Sequence, residues 1–308
     1  MKTKKALIFN VEELSTQDGP GLRTVIFIKG CHLRCWWCCN PEGQHFNKEM
    51  MYLSYLCKRC YSCKKACPHG AITINKNIPI FNRKCCVQCQ SFDCEQKCPH
   101  KAIKIIGEER TALDLYKQVI ENSTYFRNSG GGITFSGGEP LQQPEVISNF
   151  LTIYEQMNLS VCVETCGYFN WGKVKPFMDK FDYIFYDIKH TDNKKHKRFT
   201  GVSNIKILKN LIQLAQCVDP KKIIISLPII PNVNNDIEHI RSVIRLCKKL
   251  TITQVRLLPY HSLGKDKYAG LGRPYKLDEP HLLNNNRSLQ EYIQAFTHNR
   301  INVIGEEG

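Results

Sequence analysis

Six short runs rich in β-branched and aromatic residues recur between residues 24 and 260, and stretches of helical periodicity separate them. The runs are TVIFIKG (24–30), GGITFSGG (131–138), LSVCVETCG (159–167), DYIFYDIK (182–189), KIIISLPII (222–230) and QVRLLPY (254–260). TALDLYKQVIENSTYFR, PEVISNFLTIYEQM and NDIEHIRSVIRLCKKL are the clearest helical stretches among them. Near-continuous apolar strands alternating with helices predict a parallel sheet covered by those helices. Six such units give an α/β fold, an open and partial (β/α)6 barrel, to which RINVIG adds an edge strand. Chemistry in such folds gathers at the carboxyl ends of the strands. The unusual residues fall there: cysteines after the first run, SGGEP after the second, ETCG after the third and DIK after the fourth.

The cysteines after the first run lie in GCHLRCWWCCNPE (30–42). Cys31, Cys35 and Cys38 are spaced C-x3-C-x2-C, with Cys39 directly beside the last. Adjacent residues rarely both reach one metal, so the natural count is three thiolates. A structural zinc site wants four ligands in two separated pairs. Three thiolates instead suit a four-iron cluster in which one iron has no protein ligand.

A second cysteine-rich stretch is internally duplicated. CKRCYSCKKACPHGAI, beginning at Cys57, is echoed by CVQCQSFDCEQKCPHKAI, beginning at Cys86. Both copies end in C-P-H-x-A-I, and both carry the ferredoxin run in which three close cysteines serve one cluster and the fourth crosses to the other. That logic gives Cys57, Cys60, Cys63 and Cys98 to one cluster, and Cys86, Cys89, Cys94 and Cys67 to its partner. Cys85 competes with Cys86, but it would break the x2 spacing. The expected layout is therefore residues 1–50 opening the barrel, a ferredoxin-like insert at 51–106, and the rest of the barrel at 107–308.

The chain has 17 cysteines, most of them in these clusters, and nothing in it directs secretion, so metal binding is preferred to disulfides. The start, MKTKKALIFNVEELS, has an apolar run too short for a signal peptide, and no window approaches a membrane span. A cytoplasmic protein with no membrane association is the expectation. The net charge of +15 is scattered rather than gathered with aromatic platforms, and thiolate-ligated clusters would offset part of it. This argues against a nucleic-acid surface, and the run KHTDNKKHKRF reads as a solvated face.

The C-x3-C-x2-C after strand one together with GGEP after strand two resembles the radical S-adenosylmethionine (SAM) superfamily. STQDGPGLRTVIFIKGCHLRCWWCCNPE, TFSGGEPLQQ, ETCGY, DIKHTDNKKHKRFTG and LLPYHSLGKDKYAGLG resemble, in order, the glycyl-radical enzyme activating enzymes, whose best-known member activates pyruvate formate-lyase. The resemblance covers nearly the whole chain. It implies a radical SAM barrel in which Cys31, Cys35 and Cys38 hold three irons of a [4Fe–4S] cluster. The amino nitrogen and carboxylate of SAM would chelate the fourth iron. One electron would then yield methionine and a 5′-deoxyadenosyl radical, which takes hydrogen from a backbone glycine of a partner glycyl-radical enzyme. Flavodoxin or ferredoxin would supply the electron, and the two insert clusters would relay it or support the fold. Three [4Fe–4S] clusters and SAM are the expected cofactors.

The resemblance also assigns residues. With the three cysteines, Lys189 completes the catalytic set, suited to the SAM carboxylate. Trp37 is apolar and planar, as an adenine-stacking position requires, although a core tryptophan is the plainer reading. The backbone at Cys39 would touch SAM. Gly137, Gly138 and Glu139 form the turn toward the SAM ammonium group, since glycine lets carbonyls approach a ligand closely. Glu164, Thr165 and Asp187 would hold a monovalent cation beside the carboxylate, Ile188 within the DIK turn would contact the cofactor, and His261 would face the methionine or ribose end. Asp18, in DGPGLRT, would contact the glycine segment. Three departures stand out: His32 replaces a usual proline, Asn232 a usual glycine, and Ser226 an arginine. An arginine contact to SAM is thus missing, or supplied by another group. Two other readings are a radical SAM enzyme acting on a small molecule or RNA, and a ferredoxin-like electron-transfer protein with a degenerate barrel. The first would act without a partner protein, and the second would not bind SAM.

Overall fold

The computed structural model describes residues 4–277 and 286–304. In chain order, β1 (Lys5–Ser15) and β2 (Arg23–Ile28) precede four short insert strands, β3 (Glu49–Tyr52), β4 (Ile72–Asn75), β5 (Ile78–Phe81) and β6 (Ile103–Ile106). Seven more follow: β7 (Glu108–Thr111), β8 (Gly132–Gly137), β9 (Ser160–Thr165), β10 (Tyr183–Asp187), β11 (Ile223–Ile229), β12 (Gln254–Pro259) and β13 (Asn302–Ile304). The main sheet has the order β13-β12-β11-β10-β9-β8-β2-β1-β7. All pairings from β2 through β13 are parallel. The six expected strands and the edge strand are present, and the mixed α/β fold is as expected. The antiparallel β1 and β7, which widen the sheet beyond β2, were not expected, because charged residues interrupt both segments.

Strands β8 to β13 are neighbours in space in the order they follow in the chain. Every crossover therefore steps the same way and, with one handedness, its helix lands on the same face. That face is apolar: Ile133, Phe135, Val161, Val163, Ile184, Tyr186, Ile225 and Val255 pack in one core with residues of helices Ala112–Ile120, Pro144–Tyr154, Ile205–Cys217 and Ile237–Lys249. Among the described residues the opposite face has no helix layer, and it carries the alternate residues. Thr134, Ser136, Cys162, Glu164, Phe185, Asp187, Ser226 and Arg256 occupy it, so the strands alternate more than their apolar appearance suggests.

The loop joining β1 to β2 plugs the amino end of this inner face. Arg23 is fully buried and donates to Thr134 Oγ1 at 2.7 Å, Pro20 O at 2.9 Å, Ser160 O at 3.2 Å and Ile133 O. Thr134 Oγ1 in turn donates to Asp18 O at 2.7 Å. Gly19, at φ +127°, lies so close that a Cβ would stand 3.1 Å from both Arg23 and Cys162. This wedge carries Gln17 and Asp18 into the barrel.

The insert leaves and rejoins the barrel through the antiparallel pair β3–β6. Its small core, Met50, Cys63, Ile72 and Ile103, is completed largely by Tyr52, Phe81 and further cysteines. So little apolar area is too small a core to hold a segment of this length by itself.

Three histidines lie behind the carboxyl ends of β10 and β11. His190, His196 and His239 are buried, and the rings of His190 and His239 are 4.6 Å apart. Among the described residues their Nε2 atoms have no hydrogen-bond partner. Burial lowers all three pKa values, that of His239 to about 3. Unfolded histidines bind a proton below about pH 6.5, whereas His239 stays neutral in the fold down to about pH 3, and His190 and His196 take a proton less readily than in the unfolded chain. The stability they contribute is thus complete above that pH and falls as pH drops below it, by up to about 1.4 kcal/mol per pH unit for His239. Anaerobic urea unfolding between pH 7 and 5.5 should show this slope. His239→Asn, which keeps an acceptor for Thr191, should flatten it by one histidine's share.

Candidate active site

A cavity of about 300 Å³ opens at the carboxyl ends of β8 to β12, within the range of small-molecule sites. Its wall brings together Cys31, Cys35, Trp37, Cys38, Cys39, Gly137, Gly138, Glu164, Asp187, Lys189 and His261, all selected from sequence. Glu139, Thr165 and Ile188 are not among the lining residues. Glu139 and Thr165 are turned inward to each other, and Ile188 belongs to the apolar core.

The cysteine loop is fixed from both sides. Gly30 N donates to Gly43 O at 2.7 Å and Cys31 N to Gln44 O at 3.0 Å. On the other side, Arg34 N and Trp36 N donate to the carbonyls of Thr200 and Phe199, at 2.7 and 3.1 Å. Those carbonyls end the helix Asn193–Thr200. Lys194, Lys195 and Lys197 of the KHTDNKKHKRF run are exposed as expected, but Lys189 lines the cavity, His190 and His196 are buried, and Phe199 and Thr200 face the cysteine loop. Trp37 is buried beside Leu33, Cys35, Cys166 and Phe199 while also lining the cavity, so it is both a core residue and a flat wall. Burial pushes the Cys35 thiol up, and pushes Cys38 up to about 12. Such thiols ionise near neutral pH only with a cation in place.

The two glycines of SGGEP serve a close approach between backbones. A Cβ on Gly137 would meet Ile28 O at 2.5 Å, and one on Gly138 would meet Gly43 O at 2.4 Å and Gly30 O at 2.7 Å. Glu139, fully buried, locks the turn. It accepts from Thr165 Oγ1 at 2.8 Å, Cys166 N at 2.9 Å, Cys166 Sγ at 2.9 Å and Leu141 N at 3.1 Å. Burial raises its pKa, and the hydrogen bonds from Cys166, Thr165 and Leu141 pull it down.

Charge inside the cavity is paired. Lys189 Nζ donates to Asp187 at 2.7 Å; burial disfavours the ammonium, but Asp187 and Cys35 outweigh it and hold its pKa above the ordinary value. Glu164 accepts from Ser136 Oγ at 2.7 Å and from Arg256 at 2.7 Å. Asp18 is raised to about 6, first by burial and then by Glu164. The oxygens expected to share a monovalent cation do not face a common point: Thr165 turns to Glu139, Asp187 to Lys189, and Glu164 to Arg256. This donor set does not fit a cation. Arg256 was missed in the sequence, although a charge in the middle of QVRLLPY was its signal.

Two further cysteine-lined cavities lie in the insert. Cys57, Cys60, Cys63 and Cys98 line one, and Cys67, Cys86, Cys89 and Cys94 the other. Cys85 lines neither. The mutual influence of the thiols follows the same division. Burial first raises Cys94, to about 12, with Cys67, Cys86 and Cys89 adding to it, and Cys63 is raised by burial and then by Cys98, Cys57 and Cys60. Among the described residues, no three His, Cys, Asp or Glu form a group that could hold a single metal ion. The thiols surround cavities, as a polynuclear cluster needs.

The radical SAM superfamily matches residues 82–246, and the 4Fe-4S binding domain matches residues 54–73. With this cavity at its strand ends, the chain belongs to the radical SAM superfamily and uses SAM with 4Fe–4S chemistry. Within it, the chain belongs to the glycyl-radical enzyme activating enzymes, which are oxidoreductases. It is similar to isethionate sulfite-lyase activating enzyme of Oleidesulfovibrio alaskensis, with 38% identity over 90% of this chain and 91% of that protein. It is also similar to (2S)-3-sulfopropanediol dehydratase activating enzyme of Klebsiella oxytoca, with 37% identity over 94% and 92%. A radical SAM methyltransferase from Sphaerobacter thermophilus shares the fold, with TM-score 0.53 and 15% identity over 98% of this chain and 78% of that one. No helix among the described residues is long and apolar enough to cross a membrane.

Glu139→Leu should lower stability by at least about 3 kcal/mol, because the Thr165 hydroxyl and two backbone N–H groups lose their acceptor, at about 1–3 kcal/mol each. Glu139→Gln, which keeps one acceptor oxygen, should lose less. Anaerobic denaturant unfolding of both variants measures the difference.

Proposed function

We propose that this chain activates a glycyl-radical enzyme by positioning SAM against a site-differentiated [4Fe–4S] cluster held by Cys31, Cys35 and Cys38. Two more [4Fe–4S] clusters belong to the insert, one on Cys57, Cys60, Cys63 and Cys98 and one on Cys67, Cys86, Cys89 and Cys94. The working division is 1–50, 51–106 and 107–308. The observation that carries the reading is the presence of three separate cysteine-lined cavities, the two in the insert with crossed ligand sets. When bound, SAM and its cluster supply a radical able to abstract a hydrogen atom.

The chain's own residues bind and orient. Trp37 offers a flat apolar wall to the adenine. Gly137 and Gly138, held down on the cysteine loop, turn backbone toward the ammonium group. Lys189 meets the carboxylate while remaining paired with Asp187. Cys39 and His261, both exposed, border the mouth. Glu139 and Thr165 act one layer back by fixing the turns after β8 and β9. Ile188 acts through its N–H, which donates to Ser226 O at 3.0 Å and holds the DIK turn.

The partner is a glycyl-radical enzyme whose C-terminal glycine loop enters the open mouth, with Asp18 near the bound segment. A flavodoxin or ferredoxin donates the electron, and the insert clusters relay it or support the fold. The 5′-deoxyadenosyl C–H bond is stronger than a glycine α C–H bond, and the resulting glycyl radical is delocalised over two amides. Abstraction is therefore favourable.

Anaerobically reconstituted protein should hold about twelve irons, four per cluster. Cys86→Ser should lose about four of them and Cys85→Ser none, as iron and sulfide analysis will measure. A partner carrying α-deuterated glycine, incubated with this protein, SAM and reductant, should pass deuterium to 5′-deoxyadenosine and gain a glycyl radical signal. Labelled product from a small molecule or RNA, with no transfer from any glycyl-radical enzyme, would replace the partner-protein reading.

A further inference from the structure

Arg256 comes from the middle of β12, and its side chain crosses the barrel's inner face. Its register partner on β11 is Ser226, and the partner of Ser226 on β10 is Asp187. The row across three strands is thus Asp187, Ser226, Arg256. Ser226 is fully buried and small. It leaves room for the guanidinium to pass over β11, donating to Ser226 Oγ at 3.3 Å on the way. Beyond it, Arg256 reaches Glu164 on β9 at 2.7 Å and Gln17 O at 3.4 Å. The guanidinium carbon lies 4.3 Å from the Phe185 ring centroid, which supports its plane from below. An arginine at position 226 would compete for this same space.

The side chain is largely enclosed, with 11% of its surface exposed, and it lines the cavity. Three carboxylates raise its pKa against the effect of burial: Glu164, Asp187 and Asp18. A permanently charged group amid three carboxylates does electrostatically what a bound cation would do. The oxygens that could have formed a cation site are already taken.

We propose that Arg256 is the built-in counter-cation of the SAM pocket, taking the place both of a bound monovalent cation and of the arginine absent at Ser226. The inference rests on the reading of the cavity as the SAM site. Arg256 is a positioning residue: it neutralises Glu164 so that the SAM carboxylate can lie near Asp187 and Lys189 without facing an uncompensated acid. A guanidinium differs from a bound ion in one measurable way, since it cannot be removed by changing the salt.

Equilibrium dialysis of labelled SAM with the cluster-loaded protein tests this, without turnover, in potassium, sodium or tetramethylammonium chloride at equal ionic strength. Wild-type SAM affinity should change less than twofold among the three salts. Arg256→Ala should bind SAM at least tenfold more weakly in tetramethylammonium, a cation too large for the space, and should recover most of the loss in potassium or sodium. Arg256→Lys, which keeps the charge, should remain insensitive to the choice of salt. A wild-type affinity that falls severalfold when small cations are withdrawn would overturn the proposal, whether or not the variants fold. So would an Arg256→Ala protein that binds SAM like wild type in every salt. Absence of SAM binding by the wild type in any salt would instead remove the reading of the cavity, and this inference with it.

Discussion

A carboxylate with no exposed surface, Glu139, ties the mouth of the barrel together. It receives hydrogen bonds from the turn after β9 and from its own turn after β8, and that second turn rests on the cysteine loop through Gly137 and Gly138. Two turns thereby share one buried carboxyl group, and the cysteine loop joins them by accepting from Glu139 N at Gly30 O, 2.9 Å away. An acceptor in such a place is costly unless fully satisfied, and Glu139 is satisfied only when the turns after β8 and β9 are both in position. The spacing of the cavity's walls follows from that condition, before any cofactor is present.

A second set of buried charges joins the insert to the barrel. Lys29, fully buried at the end of β2, donates to Glu42 O at 2.5 Å and to Glu49 at 2.7 Å. Glu49, on the first strand of the insert neck, is also held by Arg273 and by His45 at 2.9 Å. Burial opposes its ionisation, but His45, Lys29 and Arg273 prevail and lower its pKa to about 2. Arg83, from within the insert, completes the joint by donating to Met50 O and to Gly270 O at 2.7 Å. Charges in this setting hold orientation more than they add stability, and orientation is what a segment with so small a core needs from its host.

The strands and the cysteine spacings were legible because each obeys a short-range rule: apolar runs bounded by turns, and ligand intervals set by the reach of a thiolate. Most of the residues that the motifs singled out also line one cavity. What escaped was set by the third dimension. Glu139 and Thr165 looked like cofactor contacts because they border the glycines and Glu164 in sequence, yet period-two alternation and a tight turn point them inward. Arg256 escaped because its meaning depends on Ser226 across the strand, thirty residues away in the chain. Likewise Phe199 read as part of a solvated face, and only the return of the cysteine loop gives its carbonyl, and that of the neighbouring Thr200, work.

The winding of the sheet explains why such pairs can form at all. With the crossover helices that cover the sheet gathered on one face, the side chains of the inner face meet across the lumen instead of each facing a separate helix. Charges placed there must balance locally, because water is scarce and attraction between close ions is strong. Asp18, Glu164 and Asp187 face Lys189 and Arg256, leaving one negative charge when Asp18 is ionised. SAM carries a sulfonium, an ammonium and a carboxylate, and hence one net positive charge. These side chains, the thiolates and their cluster aside, are thus opposite in sign to SAM, and the proposed role of Arg256 in place of a mobile ion would keep that balance independent of the salt around the protein.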